Sequence, residues 1–110
     1  MNYEPTPYDQ LTKNEKEIVS LLHKGAKSAI KTDDIAKRTG IKSRNIRDII
    51  YSLITLDNYP IGSTRALPNQ GYYLISNEQE RNATIAVLES QIRNMKKRVS
   101  ILKDIQINDF

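Results

Sequence analysis

The stretch Asp33 to Ile54, DDIAKRTGIKSRNIRDIIYSLI, constrains the fold more than any other part of this chain. It reads as a short helix, a glycine turn and a second helix with basic and amide residues at its start, the pattern of a helix-turn-helix. Ile35 and Ala36 supply the inner face of the first of these helices. Gly40 can take the left-handed conformation that ends it, and Ile41 plugs the turn. Ser43 can cap the next helix by accepting a backbone N–H. There, Ile46, Ile49, Ile50 and Leu53 form one apolar stripe at helical spacing. Arg44, Asn45 and Arg47 fall on the opposite side.

The flanking sequence supplies more elements. Residues 1–10 carry two prolines and no periodicity, and are expected to be a flexible arm. Thr12 and Glu15 form a capping-box pair. It opens a first helix to about Lys24, with Ile18, Leu21 and Leu22 inward and Gly25 at its end. Ser28 to Lys31 fits a very short strand. Thr32 is the expected cap of the second helix, whose first turn carries Asp33 and Asp34. The third helix should run from Ser43 to about Asp57, broken by Asn58, Tyr59 and Pro60. Tyr59–Thr64 and Tyr72–Ser76 then read as a β-hairpin around the polar tip RALPNQG. Two strands alone are marginal in water. Ile61, Tyr72 and Leu74 are therefore the expected anchors of the hairpin on the helices. Asn77 can cap a last helix that reaches about Ile105.

The expected fold is mainly α with a small β-hairpin: a winged helix-turn-helix at residues 11–76, then a long C-terminal helix at 77–110. The segments DDIAKRTGIKSRNIRDIIYSLI, YPIGS and NQGYYLI, in that order, resemble the N-terminal DNA-binding domain of the biotin-operon repressor and related helix-turn-helix families. Gly71, Tyr72 and Leu74 match that family's second wing strand, and the resemblance covers roughly residues 13–76. A charged helical tail directly after the wing also resembles small winged-helix proteins of phages and mobile elements in Gram-positive bacteria. The resemblance implies DNA binding and a role in transcription, replication or recombination. No biotin-ligase catalytic domain is present, so it implies no enzyme activity.

Charge placement agrees. The net charge is +4, and from Lys24 to Arg47 eight Lys/Arg residues stand against Asp33 and Asp34 alone. From Ser76 onward six basic residues face five acidic ones. A concentrated positive region suits a polyanion. The chain has no cysteine, so it carries no disulfide and no thiolate metal site. His23 is the only histidine and has no evident co-ligand. No catalytic spacing and no phosphate-binding glycine loop is visible, and no cofactor or metal is expected. The apolar runs are too short for a membrane span. MNYEPTPYDQ lacks the features of a signal peptide, and a cytoplasmic protein is expected.

The expected partner is double-stranded DNA. A helix fits the major groove with residues near its N-terminus on base edges, where Arg can fork onto guanine and Asn onto adenine. Arg44, Asn45 and Arg47 have that chemistry. Lys42 and Ser43 suit phosphate. Asp48 would repel phosphate unless it pairs with Arg44 or with cytosine. From the resemblance, Arg65, Asn69 and Gln70 at the wing are further contacts, and a narrow minor groove attracts arginine.

The last helix carries a second pattern. Ile85, Ile92 and Val99 hold a positions of a heptad repeat, and Leu88, Met95 and Leu102 hold d positions. Such a seam favours a two-stranded coiled coil, hence a homodimer. In a parallel pair Arg98 would meet Lys103, while an antiparallel pair sets Glu89 against Lys103; the sequence leaves the orientation open. Ala86, Val87 and Ile101 widen the stripe, as they would if the helix folded back on its own domain. Winged helices also serve as docking surfaces, so a host protein gripped by this helix is the rival partner.

Overall fold

The computed structural model of the protein describes residues 3–65 and 70–107. Four α-helices and one hairpin follow in the order α1 (Lys13–Leu21), α2 (Thr32–Thr39), α3 (Ser43–Thr55), β1 (Ile61–Thr64), β2 (Gly71–Leu74) and α4 (Glu78–Asp104). This is the mainly α fold with a β-hairpin wing and a long terminal helix expected from the sequence.

Helices α1 to α3 close around one core. Ile18, Ile35, Ile46 and Leu53 are fully buried, and Leu11, Leu22, Ile50 and Ile61 complete the cluster. The α3 stripe therefore points inward as its spacing requires, with Ile49 half-buried at the edge. The capping box forms: Thr12 N–H donates to Glu15 Oε1 (2.9 Å) and Glu15 N–H to Thr12 Oγ1 (3.2 Å). Gly40 ends α2 at φ +76°, with its N–H on the Ala36 carbonyl at 2.8 Å. The left-handed turn delivers α3 across α2.

Several local expectations fail. Helix α1 stops at Leu21, short of Lys24. The next backbone is taken by β2: Leu74 N–H donates to the His23 carbonyl (2.8 Å) and Gly25 N–H to the Leu74 carbonyl (2.9 Å). Gly25 then opens a 3-10 turn over Ala26–Ser28 and does not close α1. The strand expected at 28–31 shrinks to one antiparallel bridge, Ile30 with Tyr72. Thr32 and Ser43 are each the first helical residue. Lys31 and Lys42 occupy the capping positions, with no side-chain cap bond at either end. The N-terminal arm is hydrogen-bonded to the α3–β1 loop. Thr6 N–H reaches the Asp57 carbonyl (2.9 Å), and the Tyr59 hydroxyl donates to the Thr6 carbonyl (2.6 Å). Burial, followed by the nearby Asp57 charge, raises the Tyr59 phenol above its ordinary pKa.

In the hairpin, Ile61 pairs with Leu74, Gly62 with Tyr73, Ser63 with Tyr72 and Thr64 with Gly71. Bonds from β2 to residues 23–25 and to Ile30 engage its other edge. The expected anchors split in depth: Ile61 is buried, while Tyr72 and Leu74 are half-buried against the core. Tyr73, on the opposite face, is only 3% exposed. A Cβ built on Gly62 would lie 2.8 Å from Tyr73 Cζ and 2.9 Å from Thr84 Oγ1. The ring is thus held between the sheet and α4.

Helix α4 begins as predicted, with Glu80 N–H on Asn77 Oδ1 at 2.8 Å. Its first turn is clamped to the domain through Glu80. That carboxylate accepts from Ala26 N–H (2.8 Å), Ser76 N–H (2.9 Å) and Ser76 Oγ (2.8 Å). No α4 residue is buried, and residues 91–104 are all exposed. Folding back on the domain is therefore confined to the opening turns. Among the described residues, no helix is long and apolar enough to cross a membrane.

Candidate nucleic-acid interface

The start of α3 is built from two opposed demands. Ile46 must be buried, so the residues around it on the helix, Arg44, Asn45 and Arg47, must face out. All three are exposed, as is Lys42, while Ser43 is half-buried. Among the described residues, no hydrogen bond or ion pair engages the side chains of Arg44, Asn45 or Arg47; an ion pair does form in α4, Arg81 with Glu78 at 3.8 Å. Asp48 is exposed and does not neutralise Arg44.

Because Ser43 does not cap, the helix end stays open. The first intrahelical bond runs from Ile46 N–H to the Lys42 carbonyl at 3.0 Å. The N–H groups of residues 43–45 find no acceptor among the described residues. These groups carry the positive end of the helix dipole and suit a phosphate oxygen.

The wing stands beside this surface. Arg47, Arg65 and Gln70 line one cleft of about 410 Å³, together with Lys31, Thr32 and Asp33. Lys31, Arg47 and Arg65 set three positive charges against the single Asp33. Arg44, Asn45 and Lys42 do not line that cleft; they occupy the leading end of α3. Asn69 lies outside the described residues.

The cleft also takes in Lys31 and Thr32, which nothing in the sequence places beside the wing. Lys31 lies 16 positions before Arg47 and far from the wing in sequence. The bridge between Ile30 and Tyr72 carries the start of α2 to the wing strand. The signal available was weak: a lysine beside a helix N-terminus.

The arrangement offers two kinds of contact. Forked and amide donors at the leading end of α3 match base edges, and cations with free N–H groups match a sugar-phosphate strand. Compared with protein-family models, with curated proteins and with solved structures, the chain matches none.

Proposed function

We propose that this protein is a sequence-specific double-stranded DNA-binding protein. It acts as a transcriptional regulator or as an accessory factor in phage or mobile-element replication or recombination. The observation that supports this best is the joint exposure of Arg44, Asn45 and Arg47 on α3 beside the basic cleft of Lys31, Arg47 and Arg65. Helix α3 enters the major groove, and Arg44, Asn45 and Arg47 read base edges. Lys31, Lys42 and the N–H groups of residues 43–45 hold phosphates, and Arg65 and Gln70 follow the adjacent backbone or minor groove. The resemblance to the repressor wing family agrees with this assignment of roles.

The exposed seam of α4 joins two copies, so that two recognition helices address two half-sites. Neither role needs a cofactor. A protein-docking module is the rival reading, with a host protein gripped by the long α4 helix in place of DNA.

Duplex binding measured against salt separates the two. Affinity for DNA falls steeply as salt rises, with a log–log slope near −0.9 per phosphate neutralised. No measurable duplex binding at low salt would overturn the DNA reading. Selection from a random duplex library then yields the preferred site and its half-site spacing.

A further inference from the structure

Helix α4 leaves the domain with its apolar seam bare. Ile85, Leu88, Ile92, Met95, Val99 and Leu102 are 43% to 69% exposed. The seam does not end where the helix meets the domain. Ile85 and Leu88 form one wall of an apolar groove of about 240 Å³, and Ile54, Tyr59, Pro60 and Ile75 contribute to the rest. Ile54 remains 41% exposed at its mouth. At the far end of α4 two more isoleucines are bare: Ile105 at 42% and Ile107 at 84% exposure.

We propose that a second copy of this chain lies antiparallel along α4, and that its Ile105 and Ile107 fill this groove beside Ile54. The inference rests on the α4 self-association proposed above and adds its orientation and its second contact. In an antiparallel pair, a positions face d positions, so Ile85 meets Leu102 of the second copy, Leu88 meets Val99 and Ile92 meets Met95. The second copy's chain then continues past Ile85 toward the groove, and Ile105 and Ile107 are its next apolar residues. One two-fold axis covers both bare ends at once.

A parallel pair cannot do this. Residue 105 lies 20 positions beyond residue 85, roughly 30 Å along the helix axis. Both C-terminal isoleucine pairs would project away from the domains, and the groove would stay open. Charge points the same way. The parallel pair sets Arg98 against Lys103 at both flanks, whereas the antiparallel pair sets Glu89 against Lys103 twice. Its one like-charge contact is Lys96 with Lys96 across the axis. Exposed pairs contribute little each, so charge favours the orientation while apolar coverage drives it.

The chain has no cysteine, so an introduced pair reports alone. Ile85→Cys and Leu102→Cys chains of different tagged length are mixed and oxidised. The expected product is the mixed disulfide, with little Leu102→Cys homodimer. A dominant Leu102→Cys homodimer overturns the antiparallel orientation and leaves self-association standing. A monomer by sedimentation of the unaltered protein at tens of micromolar overturns both. Ile54→Glu, placed at an exposed position, is expected to raise the dimer Kd by about tenfold or more with unchanged thermal unfolding of the monomer. An unaltered dimer Kd overturns the groove contact.

Discussion

Gly71 sits directly against the carbonyl of Ile30, at φ +130°, where an added Cβ would collide with that carbonyl and lie 2.7 Å from Lys31 N. The close approach lets Tyr72 exchange two backbone hydrogen bonds with Ile30, each 2.9 Å long. Those bonds place the start of α2 beside the wing, and with it Lys31. Gly71→Ala is expected to destabilise the fold by about 2–4 kcal/mol, combining a disfavoured backbone region with backbone overlap. Gly40→Ala is the control: its φ is +76° and nothing lies within 4 Å, so about 1–2 kcal/mol is expected. Denaturant unfolding of both variants checks the order.

Arg47→Ala should separate reading from holding. Arg47 belongs both to the outward side of α3 and to the wing cleft. Its loss is expected to cost about 1–3 kcal/mol on the preferred duplex and to relax preference at one base pair. Lys42→Ala and Lys31→Ala should weaken preferred and random duplex alike and reduce the salt slope by about one each. Equal losses on both duplexes for Arg47→Ala would remove it from base reading.

Much of this surface was legible in the sequence because the same constraint that buries Ile46, Ile50 and Leu53 forces Arg44 and Arg47 outward. Periodicity reports that constraint without knowledge of the fold. The Asn77 cap and the extent of α4 were legible for the same local reason. What stayed hidden depends on distant pairing. Tyr73 alternates with Tyr72 and Leu74, so a one-sided hairpin would leave it in solvent. It is buried because α4 covers the second face. Glu80 reads as an ordinary first-turn acid, yet it reaches Ala26, 54 positions away. The helix ends at Leu21 and at Lys31 likewise follow from β2, whose partners no local signal names.

Glu80 gives α4 an acid-sensitive root. Hydrogen bonds from Ala26 N–H, then from Ser76, hold its carboxyl below the usual carboxylate range, outweighing some desolvation. A depressed folded-state pKa contributes stability above the unfolded value, about 4.3, and that contribution is lost as pH falls through the lower folded value. The unfolding temperature of the wild type should therefore exceed that of Glu80→Gln at neutral pH. The gap should close as pH drops below about 4.3. A gap that is constant down to strong acid would show that the ionised form is not what the clamp requires.

Thr84 is the converse case, a polar group with nothing to do. Its Oγ1 is buried beside Tyr73 and finds no hydrogen-bond partner among the described residues. A buried unsatisfied hydroxyl costs about 1–3 kcal/mol, and an apolar group of the same shape removes that penalty. Thr84→Val is expected to stabilise the protein by about 1 kcal/mol, read as a higher denaturant midpoint at an unchanged slope. A lower midpoint would show that the hydroxyl is satisfied in solution.

Met95→Glu tests whether two domains act together on DNA. Met95 is 61% exposed in the single chain and is not among the residues that form the core or pack on it, so the substitution should leave the unfolding of the monomer unchanged. In a paired α4 it sits at the centre of the seam, where burial of a lone carboxylate is strongly unfavourable. The variant is expected to sediment as a monomer at concentrations where the wild type is a dimer. Its affinity for a duplex with one half-site should stay within a factor of about two, since α3 and the wing are untouched. Its affinity for two half-sites should fall by about 10²-fold or more, the loss of effective concentration that linkage supplies. Equal affinity of wild type and variant for the two-site duplex would mean that each domain binds alone, and that the α4 seam serves something other than DNA recognition.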